Sequence, residues 1–291
     1  HIGVPLTLLS MTARTEIGIV EMGANHLNEI SFLCEIAQPN YGYITNFGKA
    51  HLEGFGSVEG VIKGKSELYN YLKKAKEIVF INPLDKIQIE QSKGIEQIEF
   101  NKRIKFINAN PFVKLKFDNE TIQSNLIGEY NYNNIAAAIT IGNYFNIESS
   151  LIKEAIENYT PANNRSQIIE KNSNKFILDA YNANPSSMTV ALENFKNLKA
   201  ESKIVFLGDM FELGSESKHE HQNIAQLAEE FNFNKLYLIG KAFSTTNVKN
   251  AFLYDSFESF QNSFSSKEIT NSTILIKGSR GMALERILDL F

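Results

Sequence analysis

Short β-branched apolar runs alternate with helix-period segments along most of this chain, and that alternation constrains the fold more than any other feature. TEIGIVEM (Thr15 to Met22) is one run, ending in a carboxylate, and YGYITNF (Tyr41 to Phe47) is another, ending beside a polar residue. Between them, Ile30, Leu33, Cys34 and Ala37 recur at helical spacing over residues 28–37, so the order reads strand, helix, strand. That order predicts a parallel sheet. Residues 61–75 then read as an amphipathic helix and 77–81 as a buried strand. From Asp85 to Ile127 the segments IEQIEF, RIKFINA and VKLKF predict an antiparallel or mixed patch at a domain edge. Helix returns over residues 131–146, where Ala136, Ala137 and Ala138 allow close packing.

At YTPANNR (Tyr159 to Arg165), Pro161 and paired asparagines interrupt helix periodicity, which sets an expected boundary between domains 1–160 and 161–291. The alternation resumes beyond it: strands over 175–178, 203–207, 235–239 and 273–276, helices over 186–198 and 219–231, and a final helix. The second half is expected to be a doubly wound α/β unit. A length of 291 residues fits two domains.

Composition removes several function classes. With 29 basic against 33 acidic side chains and a net charge of −4, no basic excess supports general nucleic-acid binding. No apolar run approaches the roughly 20 residues of a membrane span. The single cysteine, Cys34, excludes a disulfide framework and a cysteine-built zinc site, and fits a cytoplasmic protein.

The candidate site residues lie after strands, where open parallel sheets hold ligands. Glu21, between an apolar run and Gly23, reads as a cation ligand or as a turn residue. His51 sits in the glycine-flanked loop GKAHLEGFG after Asn46, as a ligand or as a surface histidine. Lys65 follows in GKSELY; about 200° of helix separates it from Lys63, so at most one of the two faces a site. Asn131 and Asn134, three apart at a helix start, suit either the edge of a planar base or ordinary capping. Asp179 emerges where a strand-end acid meets ribose hydroxyls, with Asn182 and Asn184 in the turn that follows. KGSRG (277–281) offers backbone N–H groups, Lys277 and Arg280 to an anion. No GxxxxGK[ST] phosphate loop occurs in the 291 residues.

Taken in order, EMGANHLNEI, NFGKAHLEGFGSVEGVIKGKSELY, GEYNYNNIAAA, DAYNANPSSM, GDMFELG and KGSRGMALE closely resemble the Mur ligase family over nearly the whole chain. DAYNANP with GDMFELG points to the branch that adds D-alanyl-D-alanine to UDP-N-acetylmuramoyl-tripeptide, in peptidoglycan precursor synthesis. The resemblance implies most of a central ATPase domain, truncated at its N-terminal end so that the first central strand and the glycine-rich GKT loop are missing, plus a complete C-terminal Rossmann-like domain. It implies ATP and Mg²⁺, with Glu21 and His51 as metal ligands and Lys65 carbamylated as the third. Asn131 and Asn134 match positions near the adenine, Arg165 the arginine that reaches the nucleotide phosphates, Asp179 the ribose-binding acid, and Asn182 and Asn184 a closing loop. Position 130 is Tyr where relatives often have His. The implied reaction passes through an acyl phosphate, carried out by a monomer without a nucleic-acid partner, and Pro161 is the expected hinge. The competing expectations are a folylpolyglutamate-type or other amino-acid ligase of the same fold, and, for the chain as it stands, an inactive nucleotide-binding fragment.

Overall fold

Parallel ladders form in both halves of the chain, though not at every run that the alternation marks as a strand. The computed structural model describes residues 2–49, 51–162 and 164–291. Its first unit comprises residues up to Lys102 with Asn133–Asn146, and its second comprises Arg103–Tyr132 with Ile147–Phe291.

In the first unit, α1 (Gly3–Ser10) and α2 (Glu29–Ala37) precede β1 (Tyr41–Tyr43), and α3 (Leu52–Phe55), α4 (Val58–Lys65) and α5 (Glu67–Ala75) follow it. Next come β2 (Ile78–Ile81), α6 (Lys86–Gln91) and β3 (Glu96–Glu99). The three strands form a parallel sheet in the order β1-β2-β3. Ile44, Phe47, Tyr69, Leu72, Val79 and Ile81 pack together beneath it, and a second cluster joins Val4, Ile30, Leu33 and Cys34. Leu68 and Tyr71 of α5 touch both clusters, so this amphipathic helix ties the sheet to α2.

The second unit opens with an antiparallel sheet of β4 (Ile104–Ala109), β5 (Phe112–Phe117) and β6 (Glu120–Ile127). Val113, Leu115, Phe117 and Ile122 are fully buried there. Helix α7 (Asn131–Tyr144) belongs mostly to the first unit, and α8 (Ser149–Asn158) belongs to the second. Helix α8 is tied to β6, with Lys153 paired to Glu120 at 3.0 Å and Glu157 accepting the Gln123 N–H.

The remaining elements are β7 (Gln167–Lys171), β8 (Asn174–Asp179), α9 (Pro185–Asn197), β9 (Lys203–Gly208), α10 (Ser217–Glu230), β10 (Lys235–Ile239), β11 (Phe252–Tyr254), α11 (Phe257–Ser263) and β12 (Thr273–Lys277). They form a sheet ordered β11-β10-β9-β12-β8-β7. All its pairings are parallel except the β7 edge, as doubly wound folds allow. Phe206 and Tyr237 stack at 4.6 Å near its centre.

Four expectations need correction. Thr15–Met22 is not a strand: Ile17 and Ile19 are 49% and 85% exposed, and β-branched content makes no strand without a neighbour to complete its ladder. Residues 61–75 are two helices rather than one, starting at the Ser57 cap, whose side chain accepts the Gly60 N–H, and broken at the buried Ser66. IEQIEF belongs to the parallel sheet, pairing Ile78 with Glu96, because α6 supplies a crossover that the reading missed. The final helix is a 3₁₀ helix over Leu284–Leu290.

GDMFELG closes β9 with a buried polar network. Asp209 accepts the N–H groups of Ala242 and Phe243, at 2.9 Å each. The fully buried His221 accepts the Met210 N–H on Nε2 at 2.9 Å and donates from Nδ1 to the Ser217 carbonyl at 2.7 Å. That pattern fixes the neutral tautomer. Burial holds the imidazole below its ordinary pKa, against the opposing pull of the Ser217 carbonyl, Asp209 and Glu220. The unfolded chain therefore takes up the proton first: the stabilisation is complete above the unfolded histidine value and is lost as pH falls below it. Denaturant midpoints measured between pH 7.5 and 5.5 are expected to fall with acidification, by at most about 1.4 kcal/mol per pH unit from this group, and to fall less steeply in His221→Gln. Equal slopes would contradict the assignment.

Candidate functional site

The loop from Glu21 to Asn28 is held by two carboxylates. Glu29, in the first turn of α2, accepts the N–H groups of Asn25 at 2.7 Å and His26 at 3.2 Å. Those backbone bonds hold its carboxyl below the usual range, helped by His26. Glu67 of α5 accepts from Asn28 N at 2.6 Å and Ser31 N at 2.9 Å, meeting the positive end of α2. The sequence reading missed Glu67. Its position in the first turn of α5, two residues after Lys65, was the available signal.

His51 caps α3 with left-handed backbone, φ 52°. The turn it begins lies directly on the Glu21 loop, because a Cβ built on Gly54 would stand 2.1 Å from the Asn25 carbonyl oxygen and 3.1 Å from His26 Nε2. Helix α4 closes on α3 in turn, with Phe55 seated where Gly64 has no side chain. Glycine thus brings the Glu21 and His51 loops together and sets α4 against them.

The two lysines differ in direction. Lys65 is half-buried and donates to the Asn46 carbonyl at 2.7 Å, at the end of the run that follows β1. Lys63 is exposed and lines a cleft of about 600 Å³ along α2 and α5, with Glu35, Glu67 and Lys74. Desolvation lowers the Lys65 pKa, which raises its share of neutral amine. The donor chemistry fits a hard cation on one condition. Glu21 offers oxygen and His51 nitrogen, whereas Lys65 repels a metal as an ammonium and supplies oxygen only as a carbamate. Among the described residues no cluster of three or more His, Cys, Asp or Glu forms a metal site by itself.

Asn131 is buried and donates to the Ile127 carbonyl at 2.8 Å, while Asn134 is exposed. In the second unit the strand ends gather around Asp179. Its Oδ2 meets Lys277 Nζ at 2.5 Å and its Oδ1 accepts the Ser166 N–H at 3.1 Å. Arg165 is exposed, with its guanidinium 4.0 Å above the Tyr181 ring. Asn182 is exposed, and Asn184 gives its side chain to a capping box with Ser187 at the start of α9. Lys277 corrects an expectation: it is 2% exposed and paired, so it is not an open anion grip, and Arg280 pairs with Glu285 at 3.3 Å. Tyr130 also gains a partner. Its hydroxyl lies 2.7 Å from that of Ser166, and burial, with the Asp179 charge behind it, pushes its pKa up to about 12.

The Gly54 contact has a measurable consequence. Gly54→Ala forces the His51 turn away from the Asn25 carbonyl and is expected to cost about 1–3 kcal/mol in denaturant unfolding. Gly23→Ala, where a new Cβ meets nothing within 4 Å, is expected to cost less than Gly54→Ala.

The model of the Mur ligase middle domain matches residues 1–142, and that of the Mur ligase glutamate ligase domain matches residues 164–280. Curated relatives called UDP-N-acetylmuramoyl-tripeptide--D-alanyl-D-alanine ligase include two from Buchnera aphidicola. One, of the Baizongia pistaciae subspecies, is 32% identical over 99% of this chain and 66% of its own length; the other, of the Acyrthosiphon pisum subspecies, is 31% identical over 99% and 68%. The chain thus spans about two thirds of the length of the curated relatives it matches. Crystal structure I of MurF from Acinetobacter baumannii aligns with a TM-score of 0.86 at 25% identity, covering 99% of this chain and 67% of that one. MurF from Thermotoga maritima in complex with ADP shares the fold, with a TM-score of 0.85 at 23% identity over 99% and 70%. Two family models in succession, ordered motifs and these relatives make the chain a member of the Mur ligase family.

Proposed function

We propose that the protein carrying this chain is an ATP-dependent ligase that joins D-alanyl-D-alanine to UDP-N-acetylmuramoyl-tripeptide, in the cytoplasm, as a step of peptidoglycan precursor synthesis. One observation carries the reading: relatives bearing that name align at 27–32% identity over 99–100% of the chain. In this reading, residues 1–160 are the central nucleotide domain and 161–291 the C-terminal ligase domain. The phosphate loop that such a reaction requires is not among these residues, so the activity is proposed for the whole ligase and not for this chain alone.

Glu21, His51 and a carbamylated Lys65 would hold Mg²⁺, which when bound offsets the charge on the transferring phosphoryl oxygens. The lowered Lys65 pKa supports the carbamate, because only the neutral amine adds CO₂. Arg165 would meet phosphate oxygens, Asp179 the ribose, and Asn131 and Asn134 the adenine, with Asn182 and Asn184 in the loop that closes over them. The tripeptide carboxylate attacks the γ-phosphorus of ATP, giving an acyl phosphate and ADP. The D-alanyl-D-alanine amine then attacks the activated carbonyl, loses a proton, and expels inorganic phosphate. Orientation of three substrates supplies much of the acceleration in such ligations.

The whole ligase is expected to release phosphate from ATP only when both the muramoyl nucleotide and D-alanyl-D-alanine are present; acceptance of a folate or glutamate substrate instead would favour the sister enzymes. Lys65→Ala is expected to slow that release by roughly 10²-fold or more, with partial recovery on adding short-chain carboxylic acids, while Lys63→Ala leaves it unchanged. Wild-type rates in Lys65→Ala would exclude the carbamate.

A further inference from the structure

Arg165 is displayed by a backbone that needs outside support. Asn164 and Ser166 on either side of it have φ values of 60° and 48°, a left-handed region that non-glycine residues occupy only when their surroundings hold them there. Each flanking residue is held. The Asn164 carbonyl accepts the Tyr181 N–H at 3.2 Å. The Ser166 N–H donates to Asp179 Oδ1 at 3.1 Å, and the Ser166 hydroxyl shares a 2.7 Å hydrogen bond with Tyr130. Asp179 is fixed in its turn by Lys277, its register partner across β8 and β12. Lys277 also donates to the Asn182 carbonyl at 3.3 Å, so the same ammonium anchors the turn that follows Tyr181.

We propose that Lys277 is a positioning residue that acts through Asp179 and Ser166 to hold the Arg165 guanidinium over Tyr181, where it is aimed at an anionic ligand. The inference rests on the proposed function only for the identity of that anion, a nucleotide phosphate. The geometric part stands on contacts within the second unit. Lys277 is 2% exposed, so it reaches no ligand itself, yet its charge fixes which way the Asp179 carboxylate turns. A carboxylate without this partner is free to rotate toward solvent and release the Ser166 N–H. The left-handed Ser166 then relaxes, and Arg165 leaves the ring. Tyr130 contributes the last hydrogen bond of the set.

Nuclear magnetic resonance of Arg165 in this chain tests the inference without requiring activity. The Tyr181 ring current is expected to move the Arg165 δ protons upfield, and Tyr181→Leu is expected to abolish the shift. Lys277→Met is expected to abolish most of it while Lys277→Arg retains it, and Tyr130→Phe is expected to reduce it in part. Should Lys277→Met fail to fold, Asp179→Ala and Tyr130→Phe carry the same test, each predicted to lose shift. An Arg165 shift unchanged in the folded variants would overturn the inference and leave a merely structural ion pair. In the whole ligase, Lys277→Met is expected to raise the KM for ATP roughly tenfold to 10²-fold, with no further loss when combined with Arg165→Ala. Loss of the shift with an unchanged KM would uphold the positioning and count against ATP as the anion that Arg165 meets.

Discussion

Burying a lysine is costly unless a partner answers its charge. Lys277 and Asp179 meet that requirement at the last rung of the β8 and β12 ladder, and the strand ends around them inherit the solution. Because the two strands are parallel and in register, their carboxyl-terminal residues emerge side by side, as open α/β sheets require of a ligand edge. The pair fixes where Asp179 points, and Asp179 then fixes Ser166. Lys277 further holds the Asn182 carbonyl. The exposed groups at this edge, Arg165, Tyr181 and Asn182, are therefore supported by groups that are not exposed.

The first unit reaches a similar end by different means. Its Glu21 loop carries no strand ladder, so its order comes from carboxylates that accept backbone N–H groups: Glu29 from inside its own helix and Glu67 from α5. Such charge-assisted bonds are about twice as strong as neutral ones, which suits a loop that follows the exposed Ile17 and Ile19. Shape supplies the rest, since Gly54 and Gly64 let three backbone segments approach closely.

The sequence made the second half more legible than the first. Strands β8, β9, β10 and β12 are buried on both faces, so they appear as short continuous apolar runs bounded by turns, and their limits shift by only a residue or two. TEIGIVEM carries the same local signal, but a strand is defined by what lies alongside it, and no local pattern reports that. Ser66 was equally invisible: heptad-like spacing runs through it from Val61 to Leu72, and only burial of its short side chain between α4 and α5 marks the break. Residue types at the site were legible because strand ends and glycine-flanked loops are local features. Their partners were not. The Asp179 to Lys277 contact spans 98 positions and the Glu67 to Asn28 contact 39, and one sequence holds no record of such pairings.

Lys63 and Lys65 show what the fold adds to a motif. Helix geometry allowed either one to face a site, and both belong to the same glycine-punctuated segment. Phe55, seated against Gly64 between them, gives the two lysines different surroundings. Lys63 turns to the cleft along α2 and α5, where water screens its charge. Lys65 turns to the Asn46 carbonyl, where desolvation is the cause that lowers its pKa. The bond to the Asn46 carbonyl takes one of its three donor hydrogens, and the ammonium form is penalised by burial. A neutral amine is the form that reacts with carbon dioxide, and the proposed carbamate would replace the ammonium with one negative charge spread over two oxygens. The burial that lowers the Lys65 pKa is thus what supports the proposed carbamate, a property set by the surroundings of the residue and not by its side chain alone.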